Sequence, residues 1–482
     1  MNNPPAPMRR DAGVEVRLGA RRLAERWSGA GPAIVGIVVV AFLMSAFILL
    51  DYTFNQDPHR VLKVALGLLA IGGIMSRPRF GLLLLPVITP FLTWVPPTPI
   101  PGLNALNVLL FAVFGTYALG AVVARRPVMR AGRLGPAIWV LVGIAVLSIV
   151  RGAIAPTGYG YGAYPASLNL FRSVMSFAMY FILLAMARGE RDRRHVAWAV
   201  LAGLLLESLV TIQLGRNGSG GRATGSIGQS NELAGYLALF SVLAAAVAMG
   251  ARSWLARLTA AGIFVAGSIG IMLSLSRGGM LALLGGLFVV AWRSSRWMFG
   301  ALLLILALSP FWLPDYVKDR ISQSTVESDV GDPALVDSAS ELRLLTWRAI
   351  LEVVTHHPID GVGFTGLQYV LPDVGAAMGL GDVKDSAHNT YLRILAELGV
   401  FGLAAFLWLM GSIWRLANDA VRRARSRFDR SLAVGLAGAV VAMAISCAFG
   451  DRFWSPVVAS SFWVLCALVE DTLIETRPEV TA

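Results

Sequence analysis

The residue pair with the clearest chemical potential is His388–Asn389, which opens a run reading HNTYLRILAELGVFG to Gly402. A free imidazole titrates at about 6.5, so it can take a proton from a hydroxyl or, once protonated, bind a phosphate. The plainer alternative is that both residues cap the helix that follows. A second group is built on arginine. Arg216 and Arg222 lie in the glycine-rich stretch GRNGSGGRATGSIG, whose backbone N–H groups can form an anion nest. Arg277 stands beside Gly278 and Gly279 at the edge of an apolar run. An arginine at membrane depth costs about 2.5–3.5 kcal/mol on insertion scales and usually faces protein or water. The alternatives are a solvated loop charge for Arg216 and snorkelling to the interface for Arg277. Arg343 and Arg348 either face such a site or pair with Glu341 or Glu352. Asp451 and Arg452, in the short segment GDRFW, read as a pair or an interface anchor. Glu207, inside an apolar run, is either functional or a helix-to-helix hydrogen bond.

These residues must be held by elements that composition identifies. The 482 residues are 56% hydrophobic and 15% charged, against about 25% charged in soluble domains. The deficit runs along the whole chain, so an all-α, polytopic membrane protein is expected. Runs long enough to cross hydrocarbon fall near 32–51, 61–76, 80–96, 104–124, 134–154, 166–187, 195–215 and 231–250. Others fall near 257–275, 278–293, 297–313, 391–413, 431–449 and 455–471, for about 14 helices (12–14, because the 61–96 and 278–293 segments are short). Arginines recur at alternate connections, including Arg77 and Arg79, Arg125 to Arg133, Arg188 to Arg194, and Arg415 to Arg430. That pattern places both termini in the cytoplasm and His388 on the other face.

The expected organisation is a basic cytoplasmic tail (1–31), eleven spans (32–313), a large periplasmic loop (314–390), three spans (391–471) and a cytoplasmic tail (472–482). Within the loop, Glu341 to Thr355 has apolar residues at helical spacing and reads as a helical cap. The net charge of +12 is dispersed among spans, so no nucleic-acid partner is expected. Cys447 and Cys466 lie in apolar segments and suggest neither a disulfide framework nor zinc. There is no Walker A, HExxH or CxxC motif, and neither cofactor nor metal is expected.

His388, Asn389, nine residues, then Gly399 and Gly402 resembles the H-[NSQ]-x9-G-x-x-G signature of bacterial O-antigen ligases. GSIGQSNELAGY (Gly225 to Tyr236), SLSRGG (Ser274 to Gly279) and HPIDGVGF (His357 to Phe364) are similar to segments of the same superfamily, which also contains O-antigen polymerases. The resemblance spans roughly residues 205–415. It implies a metal-independent glycosyltransferase at the periplasmic face of the bacterial inner membrane. The donor would be an undecaprenyl-diphosphate-linked glycan, and the acceptor lipid A-core or a second lipid-linked glycan. Arg222 and Arg277, with Arg216, would hold the donor diphosphate through planar guanidinium forks. His388 would act on the acceptor, with Asn389, Arg343 and Arg348 in support. A transporter or flippase of lipid-linked sugars is the competing class. It explains spans and arginines equally well, but gives no reason for a large ordered loop ending in His388.

Overall fold

The computed structural model describes residues 69–94, 104–155, 160–217, 221–312, 338–380 and 386–475, apart from Met75 and Arg126, with Gly67 and Lys318 besides. Every regular element among them is helical. The expected span at 32–51 and half of that at 61–76 lie outside the described residues, as do 314–317, 319–337 and 381–385 of the large loop.

The chain runs through α1 (Pro78–Ile88), a 3-10 turn (Thr89–Trp94), α2 (Ala105–Val123), α3 (Gly135–Ile154), α4 (Ala163–Met186) and α5 (Gly189–Asn217). It continues through α6 (Ser230–Gly250), α7 (Trp254–Ser274), α8 (Arg277–Ser294), α9 (Arg296–Ala307) and the single turn α10 (Ser309–Trp312). Then come α11 (Ser338–His356), α12 (Leu367–Ala377), α13 (Thr390–Arg423), α14 (Arg427–Ala448) and α15 (Pro456–Glu475). Among the described residues, nine of these (α2–α7 and α13–α15) are long and apolar enough to cross a membrane. The protein is therefore a multi-pass membrane protein.

The starts of these helices follow local chemistry. Side chains of Asn104, Ser253, Ser276, Asn389 and Ser426 cap α2, α7, α8, α13 and α14 by accepting first-turn N–H bonds. Such caps satisfy backbone donors that lipid cannot. At the centre, α6, α14 and α15 are buried along most of their length, and small residues there let backbones close up. A Cβ on Gly286 of α8 would lie 3.0 Å from the Gly438 carbonyl of α14. Close packing of small residues is how helices associate where hydrophobic burial gives no net drive. Near the arginine-rich end, Arg193 of α5 is buried and binds Asp429 (3.0 Å), Asp471 (2.8 Å) and Glu475 (2.7 Å), tying α5 to α14 and α15.

The expected cap helix extends over Ser338–His356, and α12, which the sequence does not announce, packs beside it. Ala349, Ile350 and Val353 of α11 meet Leu367 and Leu371 of α12 in a small separate core. The cap is then fastened to α13 in an unusual way. Gly399 has φ +67° and breaks the helix. The 358–363 segment uses that break. Val400 N–H donates to the Pro358 carbonyl (2.9 Å), Val362 N–H to Ala396 (2.8 Å) and Gly363 N–H to Glu397 (3.1 Å). From α3, Arg151 Nε binds Asp360 at 2.7 Å, and Ser148 Oγ donates to the Glu397 carbonyl at 2.9 Å.

In sequence, Gly399 and Gly402 read as glycines that let another helix approach closely, and the structure gives them other neighbours. A Cβ on Gly399 would lie 1.9 Å from the Ile359 carbonyl oxygen, so glycine is required by a crossing loop. At Gly402 the neighbour is Leu398 of the same helix, whose Cβ would lie 2.2 Å from a Cβ placed there. Gly399→Ala should cost about 1–3 kcal/mol from backbone strain alone, with the carbonyl clash adding to it. The expected result is a clearly lowered unfolding midpoint of the detergent-purified protein; an unchanged midpoint would refute this account of the break.

Candidate functional site

The site is organised around the turn 449–452, which joins α14 to α15. On one side lies the start of α13. Thr390 Oγ1 donates to the Gly450 carbonyl at 2.8 Å, and Ser386 Oγ donates to Asp451 Oδ2 at 3.2 Å. Arg393, one turn into α13, binds Glu397 (3.2 Å) and reaches Asp451 (3.5 Å). His388 sits in this stretch, half-buried, with φ +46°. A non-glycine residue in the left-handed region is uncommon and persists only where its surroundings fix it. Here both neighbours are fixed. The Ala387 carbonyl accepts Trp347 Nε1–H of α11 at 2.9 Å, while Asn389 Oδ1 caps α13 by accepting from Tyr391 N (3.0 Å) and Leu392 N (3.2 Å). Asn389 is therefore a helix cap, and the same cap aims its neighbour.

On the other side of the turn lies the start of α8. A Cβ on Gly278 would fall 2.7 Å from Phe449 Cβ, and one on Gly279 would fall 2.4 Å from Ala234 Cβ of α6. The two glycines after Arg277 let α8 wedge between α6 and the turn, which brings Arg277 there half-buried. Asn231 Oδ1, in the first turn of α6, accepts from Ser276 Oγ (3.0 Å) and Arg222 Nη2 (2.6 Å). Arg222 Nε donates to the Ser274 carbonyl at 3.0 Å, so Arg222 is secured at the same α6–α8 junction. The glycine-rich loop is held from below: Glu207 of α5, fully buried, accepts from Ser226 N at 2.9 Å and also from Ser226 Oγ. Glu207 thereby proves to be a helix-to-loop hydrogen bond. Arg216 is in the last turn of α5, and its side chain lies outside the described residues.

In the turn itself is Arg452, only 7% exposed. The expectation that it pairs with Asp451 does not hold, because Asp451 is taken by Arg393 and Ser386. Among the described residues the Arg452 guanidinium has no hydrogen bond or ion pair. It fits against Gly235 of α6, where a Cβ would lie 3.1 Å from its Cδ. Burial draws its pKa below the ordinary guanidinium value, opposed by the charges of Glu232 and Asp451 and reinforced by that of Arg343. Arginine nonetheless stays protonated in proteins. Arg343 of α11 is thus near enough for its charge to be felt at Arg452, whereas Arg348 is exposed and has no ion pair among the described residues. Among the described residues no Arg348–Glu352 bridge forms, and Glu352 instead approaches His356 Nδ1 at 3.9 Å.

Four helices (α6, α8, α13 and α15) begin around this turn, so their positive dipole ends gather at one place. A polar cavity of about 200 Å³ adjoins it, bounded by Ser386, Arg393, Glu397, Asp451, Thr365 and Asn169 of α4. Thr365 Oγ1 and Asp451 Oδ1 are buried there without hydrogen-bond partners among the described residues. Buried polar atoms are normally satisfied, so the cavity suits a ligand rich in hydroxyls or ordered water. Fixed arginines, converging helix starts and a held imidazole can bind a multiply charged anion and move a proton beside it. Among the described residues no three His, Cys, Asp or Glu side chains group as metal ligands.

The sequence assigns no role to Arg393 or Glu397 and reads Asp451 and Arg452 as a pair or an interface anchor. One signal was available for Arg452: an arginine in a very short link between two apolar runs is costly unless used.

The O-antigen ligase family model matches residues 261–407, from within α7 to within α13, and so takes in Arg277, the cap and His388. No curated protein matches the chain. The family match supports a coarse role as a membrane glycan-processing enzyme in surface-polysaccharide biosynthesis, with lipid-linked glycan substrates. Residues 261–407 are thus similar to the O-antigen ligase family, and the match covers less than half of the chain.

Proposed function

We propose that the protein transfers a glycan from undecaprenyl diphosphate to an acceptor hydroxyl at the periplasmic face of the bacterial inner membrane, as an O-antigen ligase does. The observation that carries this reading is the arrangement about the 449–452 turn. A buried arginine with no ion-pair partner among the described residues lies in it, and a backbone-fixed histidine lies at its edge. In this mechanism Arg452 joins Arg222 and Arg277 in binding the diphosphate. Guanidinium forks suit phosphate oxygens, and fixed donors stabilise charge that develops on a leaving group. The His388 imidazole accepts the proton of the acceptor hydroxyl. The oxygen then bonds to the anomeric carbon, the bond from that carbon to the diphosphate oxygen breaks, and lipid diphosphate departs as the anion. Attack opposite the leaving group inverts the anomeric centre. The arginine pattern of the connections supports cytoplasmic termini and a periplasmic 314–390 loop. About 14 spans would then surround a lateral entrance for the polyprenyl chain.

The test is transfer by purified protein in detergent from undecaprenyl-diphosphate glycan, with EDTA present and nucleotide absent. Product that requires lipid A-core is the expected result. Longer lipid-linked chains without lipid A-core would make the enzyme a polymerase that joins repeat units. No product with either acceptor, from folded protein, would favour the transporter class.

A further inference from the structure

The end of the bundle opposite His388 carries a second concave site. It is a cavity of about 410 Å³ between the last turn of α6, the first of α7, the last of α8 and the first of α14. Arg257, Arg293, Arg427 and Arg430 line it, with Met249 and Val434 as part of an apolar floor, and no carboxylate lines it. Some arginines elsewhere at this end are paired with acids. Arg130 pairs with Asp471 at 2.8 Å, Arg133 with Asp419 at 2.9 Å, and Arg193 with three acids. Asp429, the acid nearest in sequence to Arg427 and Arg430, is bound by Arg193. Among the described residues, none of the four cavity arginines has an ion pair.

Arginines that only orient a membrane protein need neither converge nor be held in place. Here two are held. Arg257 Nε donates to the Ala251 carbonyl at 2.8 Å. Arg293 donates to Asn418 Oδ1 and lies over the Trp414 ring, 5.0 Å from its centroid. Four like charges around one cavity repel each other, and an anion between them relieves that cost. Depth is given by tryptophan. Trp254, Trp292 and Trp297, all exposed, ring the same helix ends, and exposed tryptophans mark the headgroup level of a bilayer.

We infer that this cavity is a phosphoryl-anion site at headgroup depth, taking the phosphate of an anionic phospholipid from the leaflet opposite His388. The arginine forks would bind the phosphate oxygens, and the apolar floor would receive the glycerol and the start of the acyl chains. The inference rests on the cavity and does not depend on the transferase reading.

The test uses full-length protein in detergent, read by native mass spectrometry with added phosphatidylglycerol, phosphatidylcholine or inorganic phosphate. It compares wild type, Arg257→Gln/Arg427→Gln, and a control, Arg415→Gln/Arg425→Gln, which removes two charges from the same end outside the cavity. Wild type and control should retain phosphatidylglycerol over phosphatidylcholine, and the cavity variant should retain about tenfold less, as expected for losing two modest charge-assisted hydrogen bonds. Arg430→Gln alone supplies the same comparison if the double variant does not purify as one species. Inorganic phosphate that displaces the lipid from wild type would assign the site to free phosphate as well. Equal retention of both lipids by wild type, or undiminished phosphatidylglycerol on the cavity variants, overturns the inference.

Discussion

Arg452→Met should leave the protein at least as stable as wild type while reducing glycan transfer about 10²–10³-fold. The first half follows from burial. Arg452 as a residue is 7% exposed and its guanidinium has no hydrogen bond or ion pair among the described residues, so most of its hydration is given up there without a compensating partner. Replacing buried charges by apolar side chains of similar size is often neutral or stabilising, by about 1–4 kcal/mol. The second half follows from use: a fixed donor aimed at developing negative charge typically contributes about 10²–10³ in rate. Arg452→Lys keeps the charge but not the planar fork, so partial activity is expected. Unfolding midpoints and single-turnover rates measured on the same preparations decide the matter. A variant that is less stable but equally active would make Arg452 a structural residue.

The second large effect is expected at His388. Asparagine tolerates the left-handed conformation better than most side chains, so His388→Asn removes the imidazole while sparing the φ +46° turn. Transfer should fall about 10²–10⁴-fold, the usual contribution of a positioned general base, with the unfolding midpoint little changed. The pH profile separates two roles. A base must be neutral, so wild-type activity would decline in acid, and the residual activity of the variant would not follow that limb. An imidazolium that binds phosphate would give the reverse, with activity declining as pH rises.

Much of the scaffold was legible because lipid imposes a single rule. Some apolar runs became helices whose ends lie within a few residues of expectation, as at 104–124 against Ala105–Val123 and 134–154 against Gly135–Ile154, whereas the run at 391–413 extends to Arg423 and that at 80–96 is a short helix followed by a 3-10 turn. The cap helix was legible by a different signal, the helical spacing that puts Ala349, Ile350 and Val353 on one apolar stripe. The second cap helix was not, because α12 is short and contains Pro372. At the site, the motif singled out His388 and Asn389, and the structure shows Asn389 capping α13 beside His388. What stayed hidden depends on residues far apart in sequence. Gly399 reads as a helix-packing glycine until Ile359 is seen to cross it. Arg452 reads as half of a pair until Arg393 is seen to claim Asp451. Neither the crossing nor the claimed carboxylate has a local signature.

The placement of the 449–452 turn also bears on how the protein is made. Ribosomes deliver α6 and α8 first, then the cap, then α13, and only with α14 and α15 the loop that Thr390 and Ser386 grip. The cap cannot finish docking until Gly399 has been synthesised, and the centre cannot close until the last two helices are inserted. Closure of this end of the bundle thus becomes a checkpoint set by translation, reached only when the α14–α15 hairpin enters the bilayer.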